Sequence, residues 1–169
     1  AYVFKTIVDP FIGKYSLIKV CSGVFKSDNM IYNQDRDIEE RVSKLYVLQG
    51  GKPIEVPELH AGDIGAIAKL TAARTGNSLS TKANTIVYGK FEISKPYTYM
   101  RYKVPNKNDI DKAAQALQKL SHEDQTLKIV NDTENRQLLL YAMGDVQLEV
   151  IQSRLENEYK CKIELIKPK

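Results

Sequence analysis

The chain has 169 residues, 43% of them hydrophobic and 27% charged, with 9 Gly, 6 Pro and a net charge of +4. This composition excludes a disordered chain, a collagen-like repeat and a coiled coil, and at ~100–150 residues per domain it allows one large domain or two small ones. No window approaches the ~20 apolar residues that a membrane-spanning helix needs.

Residues 1–80 read as short strands. The run 2–8 is rich in β-branched and aromatic residues, and a turn around Asp9-Pro10 and Gly13-Lys14 separates it from a second run, 15–21. Runs at 30–33, 40–48, 54–56 and 65–70 follow, parted by Ser27-Asp28-Asn29, Gln49-Gly50-Gly51 and His60-Ala61-Gly62-Asp63. Turn signals this close together, with no helical period between them, predict a small antiparallel barrel. Residues 81–96 read as a connector, in which 86–88 has the makings of a short strand and Lys95-Pro96 disfavours helix.

Beyond the connector the pattern changes. A strand over 97–104 stops at Pro105. Asn108 is placed to cap a helix whose apolar face is Ile110, Ala113, Ala114, Leu117 and Leu120. Strands over 127–130 and 137–143 flank a turn at 132–135. Gly144 breaks the chain, Asp145 is placed to cap a second helix lined by Leu148, Ile151, Leu155 and Tyr159, and 161–166 closes as a strand. The order βαββαβ predicts a ferredoxin-like α+β sandwich. The expected organisation is two domains: an all-β barrel with its connector over 1–92, and a ferredoxin-like domain over 93–169.

Little in the sequence carries catalysis. There is no GxxxxGK[ST], so no phosphate-cradling loop is expected in this chain. Asn106-Lys107-Asn108-Asp109 fits the N-K-x-D pattern that reads guanine, but without that loop upstream it reads as a turn and helix cap. His60 and His122 lack partners at metal-ligand spacing, so no metal site is expected, and Glu123-Asp124 reads as a solvated helix end. Cys21 and Cys161, far apart, read as buried free thiols of a reduced compartment rather than a disulfide. No catalytic residue is expected.

RNA contact remains. Lys14, Lys19 and Lys26 straddle the first hairpin, with Ser22 and Gly23 between them, a set suited to phosphate and ribose. The plainer reading of the same lysines is a solvated strand face. The ten tyrosines do not spell the stacking motif of an RNA-recognition sheet, although Tyr97, Tyr99 and Tyr102 lie on one strand.

Several segments, in order and in register, resemble bacterial elongation factor G. Val3-Phe4-Lys5-Thr6, Asp9-Pro10-Phe11 and Gly13-Lys14 look like the opening of its second domain, and Lys19-Val20-Cys21-Ser22-Gly23 stands where that family has R-V-Y-S-G. Ala61-Gly62-Asp63-Ile64 and Thr75-Gly76-Asn77-Ser78-Leu79 are similar to its A-G-D-I and T-G-D-T-L. Pro105-Asn106-Lys107 with Asp109 is similar to P-K-x-K-x-D. Leu117, Leu120, Glu123 and Asp124 are similar to A-L-x-x-L-x-x-E-D, and 143–149 to M-G-E-L-H-L-E, with Arg154, Leu155, Glu158 and Tyr159 continuing the match.

The resemblance implies domains II and III of a translational GTPase. Its GTP, Mg and GTPase domain would lie outside this segment of the parent chain, and no cofactor is implied for the segment itself. It implies a cytoplasmic protein that contacts small-subunit ribosomal RNA through Lys14, Lys19, Ser22 and Lys26, with no DNA or membrane partner. It also implies a corner at Gly144, Asp145, Gln147 and Arg154 that faces the GTPase domain and contributes to the fusidic acid pocket, and a role in coupling GTP hydrolysis to tRNA–mRNA translocation. The start without Met fits a piece of a longer protein.

The sequence departs from the family at Gln147 for His, Asp145 for Glu, Asn77 for Asp and Lys19 for Arg. Gln cannot gain the charge of His, and Lys lacks the planar fork of Arg. These departures leave open a paralogue or divergent elongation factor G, a ribosomal protection protein of the tetracycline-resistance type, or another translational GTPase. A free-standing RNA-binding module is the reading from another class.

Overall fold

The computed structural model describes residues 1–9 and 13–169. Pro10 and Phe11, part of the expected first turn, lie outside the described residues. The chain divides into two units, Ala1–Phe91 and Glu92–Lys169.

In the first unit every strand pairing is antiparallel. Strands β1 (Tyr2–Asp9), β2 (Gly13–Lys19), β6 (Leu45–Gln49), β7 (Lys52–Val56) and β9 (Ile64–Ala68) form a sheet in the order β1-β2-β9-β6-β7. A second sheet orders β10 (Leu79–Ser80), β4 (Met30–Asn33) and β5 (Ile38–Arg41), and β3 (Val24–Lys26) pairs with β8 (Glu58–His60). One core serves all three: Val3, Ile18, Phe25, Ile31, Leu45, Leu59, Ile67 and Leu79 form a single buried cluster. Short strands closing on a shared apolar interior make the barrel.

Gly65 shows how close that interior is packed. A Cβ there would stand 2.3 Å from Leu59 Cδ1 and 2.9 Å from the Tyr46 carbonyl oxygen. Only glycine lets β9 pass that near its neighbours.

The expected run 40–48 is two strands. The chain leaves β5 at Arg41 and enters β6 at Leu45, and the fully buried Val42 between them sits in the core while its backbone bonds Asp28 and Asn29. Strands β3 and β8, three residues each, are too short to show a period in sequence. Residues 86–88 are not a strand. Tyr88 docks instead through its N–H on Ser78 Oγ, at 2.9 Å, and its ring edge on Tyr2.

The second unit runs β11 (Thr98–Lys103), α1 (Ile110–Glu123), β12 (Lys128–Asp132), β13 (Gln137–Ala142), α2 (Asp145–Asn157) and β14 (Glu164–Ile166). The sheet order β12-β13-β11-β14 is antiparallel throughout and is the ferredoxin-like arrangement. Both helices lie on one face, burying Leu117, Leu120, Leu148, Ile151 and Leu155 against Tyr102, Leu140 and Ala142.

The helix starts differ from expectation. Asn106, not Asn108, supplies the cap: its Oδ1 accepts from the Asn108 N–H at 3.1 Å, opening a short 3-10 turn before α1. Gly144 is the N-cap of α2 and Asp145 its first residue. Ala116 faces the core where Ala114 was expected, because helical spacing from Ala113 places 116 and 117 on the buried stripe and leaves 114 outside.

Candidate nucleic-acid interface

The motif loops of the barrel are joined to one another. The Ala61–Asp63 turn, with Gly62 at φ +99°, docks on the link between β2 and β3. Gly62 N–H donates to Val20 O at 2.7 Å, Ala61 N–H to Gly23 O at 3.0 Å, and Val20 N–H to Asp63 O at 3.0 Å. The turn thereby fixes the Lys19–Gly23 segment from behind, leaving Lys19, Cys21 and Ser22 exposed. The 75–79 loop does the same for the start of the chain. Gly76 N–H donates to Val3 O, Val3 N–H to Asn77 O, and Asn77 Oδ1 accepts from Arg74 N–H at 2.9 Å and from buried Asn33 at 3.1 Å. Asn77 therefore acts as an acceptor at this oxygen, a role an Asp carboxylate would also fill.

Ser22 and Lys26 line a cavity of about 260 Å³ with Gly23, Asn29, Ser80 and Tyr88. Lys26 stands 3.8 Å from Glu58, and Glu58 also meets His60 Nε2 at 3.1 Å. Cys21 is exposed, contrary to expectation, because it lies on the link outside the strand pairing; Cys161 is buried as expected. Burial, and then the neighbouring Cys21 thiol, push the Tyr88 phenol up.

Lys14 is elsewhere. It lies at the opposite end of β2 from Lys19, about 16 Å away at ~3.3 Å per residue, so the four residues do not form one patch. Its ammonium donates to Ala73 O at 2.9 Å and Thr71 O at 3.4 Å. Burial, and then the charges of Arg74 and Arg36 against an opposing pull from Glu40, lower its pKa to about 8. Sequence reasoning missed the partner in this arrangement. Glu40 receives the N–H groups of Thr71, Ala72 and Ala73 at 2.6, 2.9 and 3.1 Å, plus the Thr71 hydroxyl at 2.9 Å. Burial pushes the Glu40 carboxyl up, but these donors outweigh it and bring it below its ordinary value. The 71–73 loop is thus held by a carboxylate on its N–H side and by cations on its carbonyl side. Successive N–H groups converging on an anion are invisible in sequence.

In the second unit, Gly144, Asp145 and Gln147 come together at the start of α2. Gln147 Oε1 accepts from Met143 N–H at 2.7 Å, closing the first turn, and its Nε2 donates to Asp124 Oδ2 at 2.5 Å and Thr126 Oγ1 at 3.0 Å. Asp145 accepts from Thr98 Oγ1 at 3.4 Å. Arg154 lies farther along the helix, its Nη1 2.7 Å from Glu123 Oε2 and its Nε and Nη2 2.9 Å from Glu158. Its hydrogen bonds to Glu158, opposed by burial and joined by those to Glu123, push the guanidinium pKa up. Glu123-Asp124 is therefore no solvated helix end: it ties α1 to α2.

Among the described residues no group of three or more His, Cys, Asp or Glu could hold a metal ion, and no helix is long and apolar enough to cross a membrane.

Two family models match. Residues 1–82 match elongation factor G domain 2, and residues 93–167 match Elongation Factor G, domain III. A crystal structure of a Thermus thermophilus protein is 26% identical over 99% of this chain with a TM-score of 0.83, and this chain spans about a quarter of that protein, 25% of its length. The two matches follow one another in the order of the barrel and the βαββαβ unit, and neither is to a GTPase domain. This chain belongs to the elongation factor G family, as its domain II and domain III.

Proposed function

We propose that this chain is the ribosome-contacting centre of a translational GTPase of the elongation factor G type. The observation that supports the reading best is the succession of two family domains over nearly the whole chain, barrel then ferredoxin-like unit. GTP and Mg belong to a GTPase domain of the same parent chain. These 169 residues take no part in hydrolysis and transmit its consequence to the tRNA–mRNA complex in the cytoplasm.

The contact with small-subunit ribosomal RNA falls to Lys19, Ser22 and Lys26. They are exposed around a link whose backbone is fixed by the Ala61–Asp63 turn, so little ordering entropy is lost on binding. Lys14 contributes by pinning the 71–73 loop at the far end of β2. The GTPase domain meets the Gly144–Gln147 turn. There Gln147 is committed to Met143, Asp124 and Thr126 and, unlike a histidine, carries no charge of its own.

Co-sedimentation with purified small ribosomal subunits tests the reading. Saturable binding that weakens with salt and is lost in Lys19→Ala/Lys26→Ala is expected. Salt-independent binding, or binding that survives the double substitution, contradicts the RNA contact.

A further inference from the structure

The second unit has a face that neither helix covers. Met100 and Tyr102 of β11, Leu138, Leu140 and Ala142 of β13, and Ile129 of β12 pack toward the helices. Strand alternation therefore sends Tyr99, Arg101, Lys103, Tyr141 and Lys128 to the opposite face. Tyr99 and Tyr141 are direct cross-strand partners on the two central strands. Their rings stack with centroids 4.9 Å apart and planes 21° apart, and Tyr99 stays 47% exposed. Beside them Val130 is exposed, and its register partner Leu139 is buried beneath the neighbouring side chains.

The charges around this stack are one-sided. Lys128 is the register partner of Tyr141. Arg101, Lys103 and Arg136 meet around a cavity of about 390 Å³ at the end of the same sheet, whose walls also include Tyr102, Val104 and Leu138 from the helix-covered side. None of these four cations forms an ion pair among the described residues. Two carboxylates share the face. Asp132 is already engaged by the amides of Asn135 and Gln137, and Glu164 stands across from Lys103 on the edge strand.

From this juxtaposition we infer that the open sheet face of the second unit binds single-stranded RNA. Bases stack on the Tyr99–Tyr141 platform, and phosphates run over Lys128 on one side and Arg101, Lys103 and Arg136 on the other. Aromatic rings on the two central strands of a βαββαβ sheet, rimmed by cations, match the chemistry of unpaired bases and their backbone. The pairing of a central aromatic stack with cations on both flanks favours a partner that carries flat bases on a charged backbone. The choice of RNA rests on the ribosomal reading; the stacking and charge argument does not. The sequence hid this platform because its two rings come from strands separated by a helix and a hairpin.

The test is fluorescence anisotropy of the whole chain titrated into a fluorescein-labelled twelve-nucleotide oligoadenylate RNA. Tyr99→Leu/Tyr141→Leu keeps the apolar contact and removes the rings. It is expected to weaken binding about 10-fold or more with the salt dependence unchanged. Arg101→Ala/Lys103→Ala/Arg136→Ala is expected to flatten the slope of log affinity against log salt by about 2. An unchanged thermal melt shows that each variant folds.

Wild-type affinity retained in the tyrosine variant overturns the proposal. So does equal affinity for an RNA duplex, whose bases are not free to stack on the rings. Failure of the sheet face thus shows in the oligomer titration, and failure of the ribosomal reading in co-sedimentation.

Discussion

The two units of this chain solve the same problem by different means. In the ferredoxin-like unit, two helices each bring an apolar stripe to a four-stranded sheet, and leucines such as Leu117, Leu140 and Leu155 are fully buried. The barrel has strands of two to eight residues and no helix among the described residues. Its closure depends on loops, and those loops are held by polar side chains: Glu40 on the N–H groups of 71–73, Asn77 on Arg74 and Asn33, and the Ala61–Asp63 turn on the β2–β3 link. One unit is held mainly by area removed from water, the other by area plus satisfied loop backbone.

The sharpest way to break the comparison is to damage each unit where it is said to be strong. Leu155→Ala, in the helix–sheet core, is expected to cost about 3 kcal/mol in a urea melt, through lost transfer energy and a residual cavity. A loss below about 1 kcal/mol would contradict that core's role. In the barrel, Glu40→Gln is expected to cost about 2 kcal/mol, because a neutral amide cannot accept the same four bonds with a charge.

The pH dependence follows from the lowered Glu40 carboxyl. The folded form holds the proton less tightly than the unfolded chain. This contribution is therefore present above the ordinary carboxyl value, is lost as pH falls through the lowered one, and is absent from Glu40→Gln. Melts of both proteins from neutral to acid pH should converge.

A smaller effect is expected at Arg154, which joins Glu123 of α1 and Glu158 of its own helix while one third exposed, at 33%. Arg154→Met should cost about 1–2 kcal/mol, less than a fully buried pair because water screens it. The effect at Lys14 shows as a slope in pH rather than as a fixed loss. Its pKa is lowered from 10.5 to about 8, so the folded state binds fewer protons than the unfolded chain between those values. Stability of the wild type relative to Lys14→Met should therefore rise with pH from about 8 to 10.5. A flat difference would show that the ammonium is not held in the loop.

How much was legible follows the same division. The second unit was readable because a helix repeats its apolar stripe: Leu148, Ile151 and Leu155 announce α2 at steps of three and four. The barrel's long strands were readable, but Val24–Lys26 and Glu58–His60 are too short to carry a period, and Val42 hides a corner inside an apparent strand. The lysines of the candidate interface were visible. That Lys14 faces a loop while Lys19 faces outward was not, since the loop contacts of Lys14 lie 57 or more residues away in sequence. Glu40 and Tyr141 were missed, and Asp124 was misread as solvated, for the same reason: each acquires its role from a partner that only the fold supplies.

Cys21 offers the most direct test of the central claim. It is exposed between Lys19 and Ser22, while the other thiol, Cys161, is 3% exposed. A hydroxyl-radical-generating iron chelate tethered to Cys21 should, in the complex with small ribosomal subunits, cleave their RNA at a confined set of nucleotides, and the Cys21→Ser protein carried through the same treatment should not. Co-sedimentation without any such cleavage would place the β2–β3 link away from RNA and contradict the account.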